Sequence, residues 1–273
     1  MWQERYRAVD SVNEAVEDIL FGQYLNEGIN DQSIFKAVMM AGGPGSGKSF
    51  IVNNMIGKTG PVSGLGAIVV NSDDIFEKKL SNMGLPKVFD KKNIVQYAKQ
   101  MDARQSAKDL SDKRLGKFLD GMLPVVIDGT GKDYPKIKRQ ADALTGMGYD
   151  VSMVFVNTSL EVALERNEMR ARKVAPDEVK KMWDAVQQNM GKFQTLFGQE
   201  NFRIVDNSKS LEGAGLDKVK NDLFKMGKKL LAKGVKNPIG QNAIEAMKYY
   251  KVKNLSELED AVMKDMKDMK ARA

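Results

Sequence analysis

The chain contains no cysteine and no histidine. Without thiols there can be no disulfides, no zinc–thiolate sites and no cysteine nucleophiles. Without imidazole there is no histidine base and no histidine metal ligand. A proton acceptor working near neutral pH must then be a carboxylate, a lysine or a tyrosine. No apolar run approaches the ~18 residues that span a bilayer, so no membrane association is expected. The segment Met1-Trp2-Gln3-Glu4-Arg5 is charged and polar where a secretion signal would be apolar. The expected location is the cytoplasm, or a host's cytoplasm if the chain is viral. No internal repeat and no low-complexity linker is found.

What is present suits a globular protein. The 273 residues are 42% hydrophobic and 29% charged, room for one large domain or a core with appendages. The net charge of +7 either solubilises the surface or attracts a polyanion or phosphorylated ligand.

Five apolar runs read as buried strands: 37–41, 67–70, 123–127, 151–156 and 202–205. Pro124 is tolerated because the first residue of a strand need not donate to the ladder. Helical patterns lie between them, from Lys48 to about Ile56, within 90–120 as one or two helices, over 135–147, and at about 160–170 and 177–196. Strands alternating with helices predict an α/β fold with a parallel sheet covered on both faces. Residues of about 3–24 carry Val9, Val12, Ala15, Ile19 and Leu20 at helical spacing. Beyond Asn207 no strand is expected and about 213–273 reads as wholly helical. Ser256-Glu257-Leu258-Glu259 predicts a capping box. Leu258, Val262, Met266 and Met269 then form an apolar stripe, which either packs on the core or binds a protein partner. The expected division is 1–33 (N-terminal helix), 34–210 (core domain) and 211–273 (helical C-terminal extension).

The run Gly42-Gly43-Pro44-Gly45-Ser46-Gly47-Lys48-Ser49 lies directly after the first strand and directly before a helix. Glycines there let backbone N–H groups turn inward around phosphate oxygens. The following helix aims its positive end at the same charge. Gly43, Pro44, Gly45, Ser46, Gly47, Lys48 and Ser49 are therefore expected to bind the nucleotide phosphates, with Lys48 on the β/γ-phosphates and Ser49 on Mg²⁺. ATP is the expected nucleotide, since no Asn/Thr-Lys-x-Asp guanine signature occurs.

Carboxylates fall where strands end, the place where open α/β sheets bind ligands. The second strand runs into Asn71-Ser72-Asp73-Asp74 and the third into Asp128-Gly129-Thr130-Gly131. Asp73 and Asp74 compete to be the base for an acceptor hydroxyl, the other serving as a helix cap. Asp128 suits a Mg²⁺ carboxylate, a substrate ligand or a structural turn. Arg166 and Arg170 lie four apart, on one face of the expected helix. They either meet the transferring phosphoryl group or belong to a solvated basic face paired with Glu165 and Glu168. Basic residues over 87–117 could contact a nucleic-acid strand or form a solvated face. Few aromatics interleave there for base stacking.

Over about 36–207 these motifs resemble, in order and approximate spacing, the polynucleotide kinase and zeta-toxin branch of P-loop kinases. The resemblance implies a P-loop NTPase three-layer sandwich with a five-stranded, mainly parallel sheet. By resemblance Asp73 is the base, Arg166 and Arg170 contact the donor phosphates, and Asp128, Gly129 and Thr130, with Lys132, hold the acceptor; Asp74 is expected on the acceptor side as well. Lys48 completes the catalytic set, and Ser49 with Asp128 the metal set. The chain departs from polynucleotide kinases at Phe76, where they usually carry an arginine, and no phosphatase domain is recognisable after 207. The methionine-rich, cysteine-free composition is similar to that of phage proteins. The expected activity is an ATP- and Mg²⁺-dependent kinase for a nucleic-acid 5′ end or a small nucleotide-type acceptor. The alternatives are a sugar-nucleotide kinase and a non-kinase ATP-binding assembly protein.

Overall fold

The structure, a computed structural model, describes residues 33–59, 62–170, 173–209 and 213–272. The helix expected at about 3–24 lies outside them.

A five-stranded sheet runs through the molecule in the order β4-β5-β1-β6-β7. Its strands are β1 (Lys36–Ala41), β4 (Ile68–Val70), β5 (Val125–Ile127), β6 (Asp150–Asn157) and β7 (Phe202–Asp206), all pairing in parallel. The remaining strands, β2 (Lys58–Thr59) and β3 (Val62–Ser63), form a small antiparallel hairpin that the apolar-run reading did not expect. Each is too short to show a period.

β1 is buried along its whole length, which explains its unbroken apolar run. Alternation across the sheet divides the core into layers. Met39, Ala41, Val125, Ile127, Met153 and Phe155 face one side. They meet α4 (Tyr134–Gly146) through Ile137 and Leu144, and α6 (Pro176–Asn201) through Val186 and Phe193. Val38, Met40, Val126, Val154 and Val156 face the other side. There they meet Ile51, Val52 and Met55 of α1 (Lys48–Met55), and Leu223 and Leu231 of α7 (Gly213–Leu231). The expected three-layer α/β sandwich is thus present.

Between β4 and β5 the chain builds a separate helical lobe. It consists of α2 (Ser72–Asn82) and α3 (Ile94–Asp120) around Phe76, Leu80, Ala103 and Ala107. The 90–120 segment forms one helix, capped by Asn93, whose side chain accepts from Gln96 N at 3.1 Å. Buried Gln100 ties the preceding loop down by donating to the carbonyls of Pro86 (2.7 Å) and Val88 (3.0 Å).

The C-terminal region is helical, as expected, and shares the main core. α7 lies so close to α1 that a Cβ on Gly227 would stand 1.9 Å from the Met55 carbonyl oxygen. α8 (Pro238–Tyr250) contributes the buried Met247. Lys36, at the start of β1, pairs with Asp150 and donates to Gly234 O at 3.1 Å. Asp150 in turn accepts from the backbone of Lys236 and Asn237, at 2.9 and 2.8 Å. This fastens the α7–α8 connection beneath the sheet.

One C-terminal expectation needs correction, the position of the capping box. The cap of α9 (Leu255–Arg272) is Asn254, which accepts from Glu257 N at 2.8 Å, while Glu257 reaches back to Lys253 N at 2.9 Å. The box therefore starts two residues before Ser256, and Ser256 instead donates through N and Oγ to Asp120 of α3 (2.9 and 2.6 Å). Leu255 and Leu258 pack on the core, but Met266 and Met269 are 50% and 63% exposed. Only the start of the expected stripe is covered by the described residues. None of the described helices is long and apolar enough to cross a membrane.

Candidate active site

Because the strands are parallel, their carboxyl ends share one edge, and the residues just beyond them are Gly42, Asn71, Asp128, Thr158 and Asn207. The chain leaves β1 for β4 and β5 on one side, then crosses to β6 and β7 on the other. That reversal opens a crevice at the end of β1. The glycine loop occupies it.

Gly45 and Gly47 adopt φ of +76° and +82°, a region open to glycine and strained for other residues. A Cβ on Gly45 would stand 2.2 Å from Ala163 O, and one on Gly47 would stand 2.2 Å from Asn207 Nδ2. Gly43 faces the α6 backbone, where its Cβ would lie 3.7 Å from Trp183 Cα. Pro44 is half-buried and Ser46 buried. Gly42 N donates to Thr130 O at 3.0 Å, which joins the loop to the segment after β5. The Lys48 ammonium donates to Gly42 O at 2.8 Å, and Ser49 is exposed in the first turn of α1.

Asp128 stands beside this loop because β5 neighbours β1. Its Oδ2 accepts from Asn71 Nδ2 at 3.1 Å. Its buried Oδ1 has no hydrogen-bond partner among the described residues. Burial raises the Asp128 carboxyl pKa; Lys48 opposes the rise, Asp73 and Asp74 add to it, and Arg170 opposes it. Burial also lowers the Lys48 ammonium pKa, against Asp128 and Asp73 and assisted by Arg170. Lys48 and Asp128 thus each feel the other together with Asp73 and Arg170, and Asp128 also feels Asp74. No group of three or more acidic residues suited to holding a metal occurs among the described residues. Mg²⁺ commonly binds through one or two carboxylates plus substrate phosphates. The orphaned Asp128 oxygen, on the strand next to the one that leads into the glycine loop, fits that mode.

Asp73 and Asp74 are exposed in the first turn of α2. Neither is the cap: Asn71 is, accepting from Asp73 N at 2.8 Å, which corrects the expected division of labour. Thr130 is half-buried, and the Lys132 side chain is exposed and makes no hydrogen bond or ion pair among the described residues. Asn189, buried on α6, donates to the carbonyls of Gly131 (3.1 Å) and Lys132 (3.0 Å) and so shapes that loop.

The arginine segment also differs from expectation. α5 (Leu160–Glu168) ends before Arg170, whose N bonds back to Asn167 O at 3.2 Å. The two arginines thus do not share a helical face. Arg166 is half-buried and donates to Asn207 O at 2.8 Å, while Arg170 is exposed. Asn167 is fully buried, and its side chain bonds both N (3.0 Å) and O (2.7 Å) of Val174, closing the segment between them. Asn71, Asn167, Asn189 and Asn207 also build the site, beyond the residues expected from the sequence. A visible signal existed for two of them: Asn71 and Asn207 directly follow strands.

This fold and loop define a P-loop, nucleotide-binding protein of kinase-like architecture. Residues 38–193 match the model of the AAA domain family (AAA_33), and the chain belongs to that family. A search of curated proteins finds no match. Among solved structures, a candidate kinase from Chloroflexus aurantiacus aligns at 11% identity with a TM-score of 0.50, covering 72% of this chain and 98% of that one. A chain of the PezAT chromosomal toxin–antitoxin system of Streptococcus pneumoniae aligns at 14% identity and TM-score 0.48, covering 78% of this chain and 94% of that one. A chain of the Pnkp1/Rnl/Hen1 RNA repair complex aligns at 17% identity and TM-score 0.45, covering 60% of this chain and 48% of that one. The first of these shares the fold. The likeness to P-loop kinases read from the sequence is borne out at the level of family and fold.

Proposed function

We propose that this protein is an ATP- and Mg²⁺-dependent kinase that transfers the γ-phosphoryl group to a hydroxyl of a nucleic-acid 5′ end or nucleotide-type acceptor. The observation that carries the reading is that the glycine loop, Asp128 and the Asp73-Asp74 pair follow three neighbouring strands at one edge of the sheet, with Asp128 Oδ1 buried and without a hydrogen-bond partner among the described residues. A purely structural nucleotide site has no need of exposed carboxylates at the sheet edge that carries the phosphate loop.

Backbone N–H groups of Gly43 to Ser49 and the Lys48 ammonium would bind the donor phosphates. Ser49 and Asp128 would hold Mg²⁺, which when bound neutralises charge on the phosphate oxygens. Asp73 accepts the proton of the acceptor hydroxyl, a role left to carboxylates by the lack of histidine. Arg166 and Arg170 stabilise charge on the transferring group. Asp74, Thr130 and Lys132 line the acceptor side.

A second reading, a sugar-nucleotide kinase, is favoured by Phe76. Its ring is 1% exposed and stacks on Phe89 at 5.9 Å, inside the helical lobe. The side chain at this position therefore supplies no cation of its own for a 3′-phosphate on an acceptor strand, although Arg104 lies over its ring at 5.9 Å.

The test is γ-labelled ATP with 5′-hydroxyl DNA, 5′-hydroxyl RNA, nucleosides and UDP-sugars side by side. Label on DNA or RNA that is lost in Asp73→Asn supports the first reading. Label on the UDP-sugar alone selects the second. ATP hydrolysis with no labelled acceptor argues for an ATP-binding assembly protein instead.

A further inference from the structure

Asn207 follows the last strand of the sheet and stands between the two halves of the donor site. Its N donates to Asn157 O at 2.8 Å, extending the β6–β7 ladder by one residue. Its side-chain Nδ2 donates to Ser46 O, inside the glycine loop, at 2.8 Å. Its carbonyl accepts from Arg166 Nη1 at 2.8 Å. One residue therefore grips the phosphate loop with its side chain and the arginine of α5 with its backbone.

The fit around it is close. A Cβ on Gly47 would stand 2.2 Å from Asn207 Nδ2 and 3.6 Å from Arg166 Nη1. The glycine lets Asn207 and Arg166 come up against the loop together. The adjoining turn is braced as well. Ser208 donates through Oγ and N to Asp206 Oδ1 (2.6 and 3.0 Å), and its Oγ accepts from Ser159 N at 3.1 Å. Ser159 is the cap of α5, accepting from Val162 N at 3.3 Å. The Asp206-Asn207-Ser208 turn thus touches the start of the arginine helix, its arginine and the loop.

We propose that Asn207 is a positioning residue that sets the phosphate loop against Arg166 for phosphoryl transfer. This rests on the kinase reading of the same site. A sheet end is rigid, so the loop and the arginine are both referred to one fixed point. Misplacement of a catalytic group by about 1 Å can cost about 10²-fold in rate. An amide suits the task because Ser46 O needs a donor, and asparagine supplies one without adding charge beside the phosphates.

The experiment compares Asn207→Ala and the near-isosteric Asn207→Leu with the wild type, each with and without Arg166→Ala. Turnover of ATP is measured with any acceptor that the wild type labels, or with water. The expected result is a kcat about 10²-fold lower for both Asn207 variants, with little change in the KM for ATP or in melting temperature. In the Arg166→Ala background the same substitutions add little, because the partner they position is gone. Effects that multiply independently of Arg166 overturn the proposal. Absence of any turnover in the wild type defeats the kinase reading, and amide hydrogen exchange then judges the strut separately. Faster exchange in 45–50 of Asn207→Ala, the segment that its side chain holds, upholds it, and unchanged exchange there overturns it.

Discussion

The Asn71 amide donates to Asp128 Oδ2 at 3.1 Å, while its own oxygen caps α2 by accepting from Asp73 N at 2.8 Å. One side chain thereby fixes the carboxylate proposed for the metal and the helix that presents the proposed base. Asn71→Ala removes both contacts. The lost cap costs about 1 kcal/mol of stability. Partners that orient a metal-ligating group are worth about 10–100-fold in affinity or activity, so Mg²⁺-dependent turnover is expected to fall by that factor. Asn71→Asp keeps the cap and sets a second carboxylate against Asp128. It recovers the capping part of the lost stability but not the turnover, and the repulsion keeps its melting temperature below that of the wild type. Thermal melts and initial rates over a Mg²⁺ titration check both statements.

The layout was legible because it rests on long-period signals. Buried strands show as apolar runs, and Gly42 to Ser49 shows as glycines at fixed spacing before a lysine. Asp73, Asp128 and Arg166 follow from their places at strand ends or on a predicted helix. What was not legible depends on single hydrogen bonds between residues distant in sequence. Asn207 finds Ser46 across 161 residues, and nothing local marks the pairing. The α5 boundary and the α9 cap shifted for a local reason, since Asn167 and Asn254 bond backbone groups that the helical pattern alone would leave unassigned.

Asp128 makes the pH dependence of stability testable. Burial raises its carboxyl pKa above the ordinary value that it keeps in the unfolded chain. The unfolded state therefore releases the proton first as pH rises. The stability that neutral Asp128 contributes is complete below the ordinary carboxylate range and is lost as pH rises through the folded value. Asp128→Asn abolishes that loss. Without Mg²⁺, the variant should show a flatter melting profile from acid to neutral pH and melt above the wild type at neutral pH, even as transfer activity falls. A profile parallel to that of the wild type would contradict the assignment.

The clamp made by Asn167 predicts a local defect. Its buried side chain satisfies both N and O of Val174. Alanine leaves two polar backbone groups without these partners, which costs about 2 kcal/mol. Asn167→Asp keeps the acceptor and loses the donor, so its cost is intermediate. Limited proteolysis should cut between 168 and 175 faster in Asn167→Ala than in the wild type. The sheet is held by separate contacts, so cleavage elsewhere should be unaffected.

Arg166 and Arg170 are expected to respond differently to replacement by lysine. Alanine at either costs about 10³–10⁵ in kcat if both meet the transferring phosphoryl group. Arg166 is half-buried and fixed by its bond to Asn207 O, so its guanidinium plane is oriented before substrate arrives. A lysine there keeps the charge and loses the fork, and recovers little of the rate. Arg170 is exposed beyond the end of α5 and reaches Lys48 and Asp128 through its field. A lysine there keeps most of that field and should recover more. The part that it recovers should weaken as salt is raised, because exposed charges are screened over about 10 Å at 0.1 M ionic strength. Rates of the four single variants over a KCl series decide the matter. Equal recovery at both positions would mean that the tether to Asn207 does not orient Arg166 for the reaction.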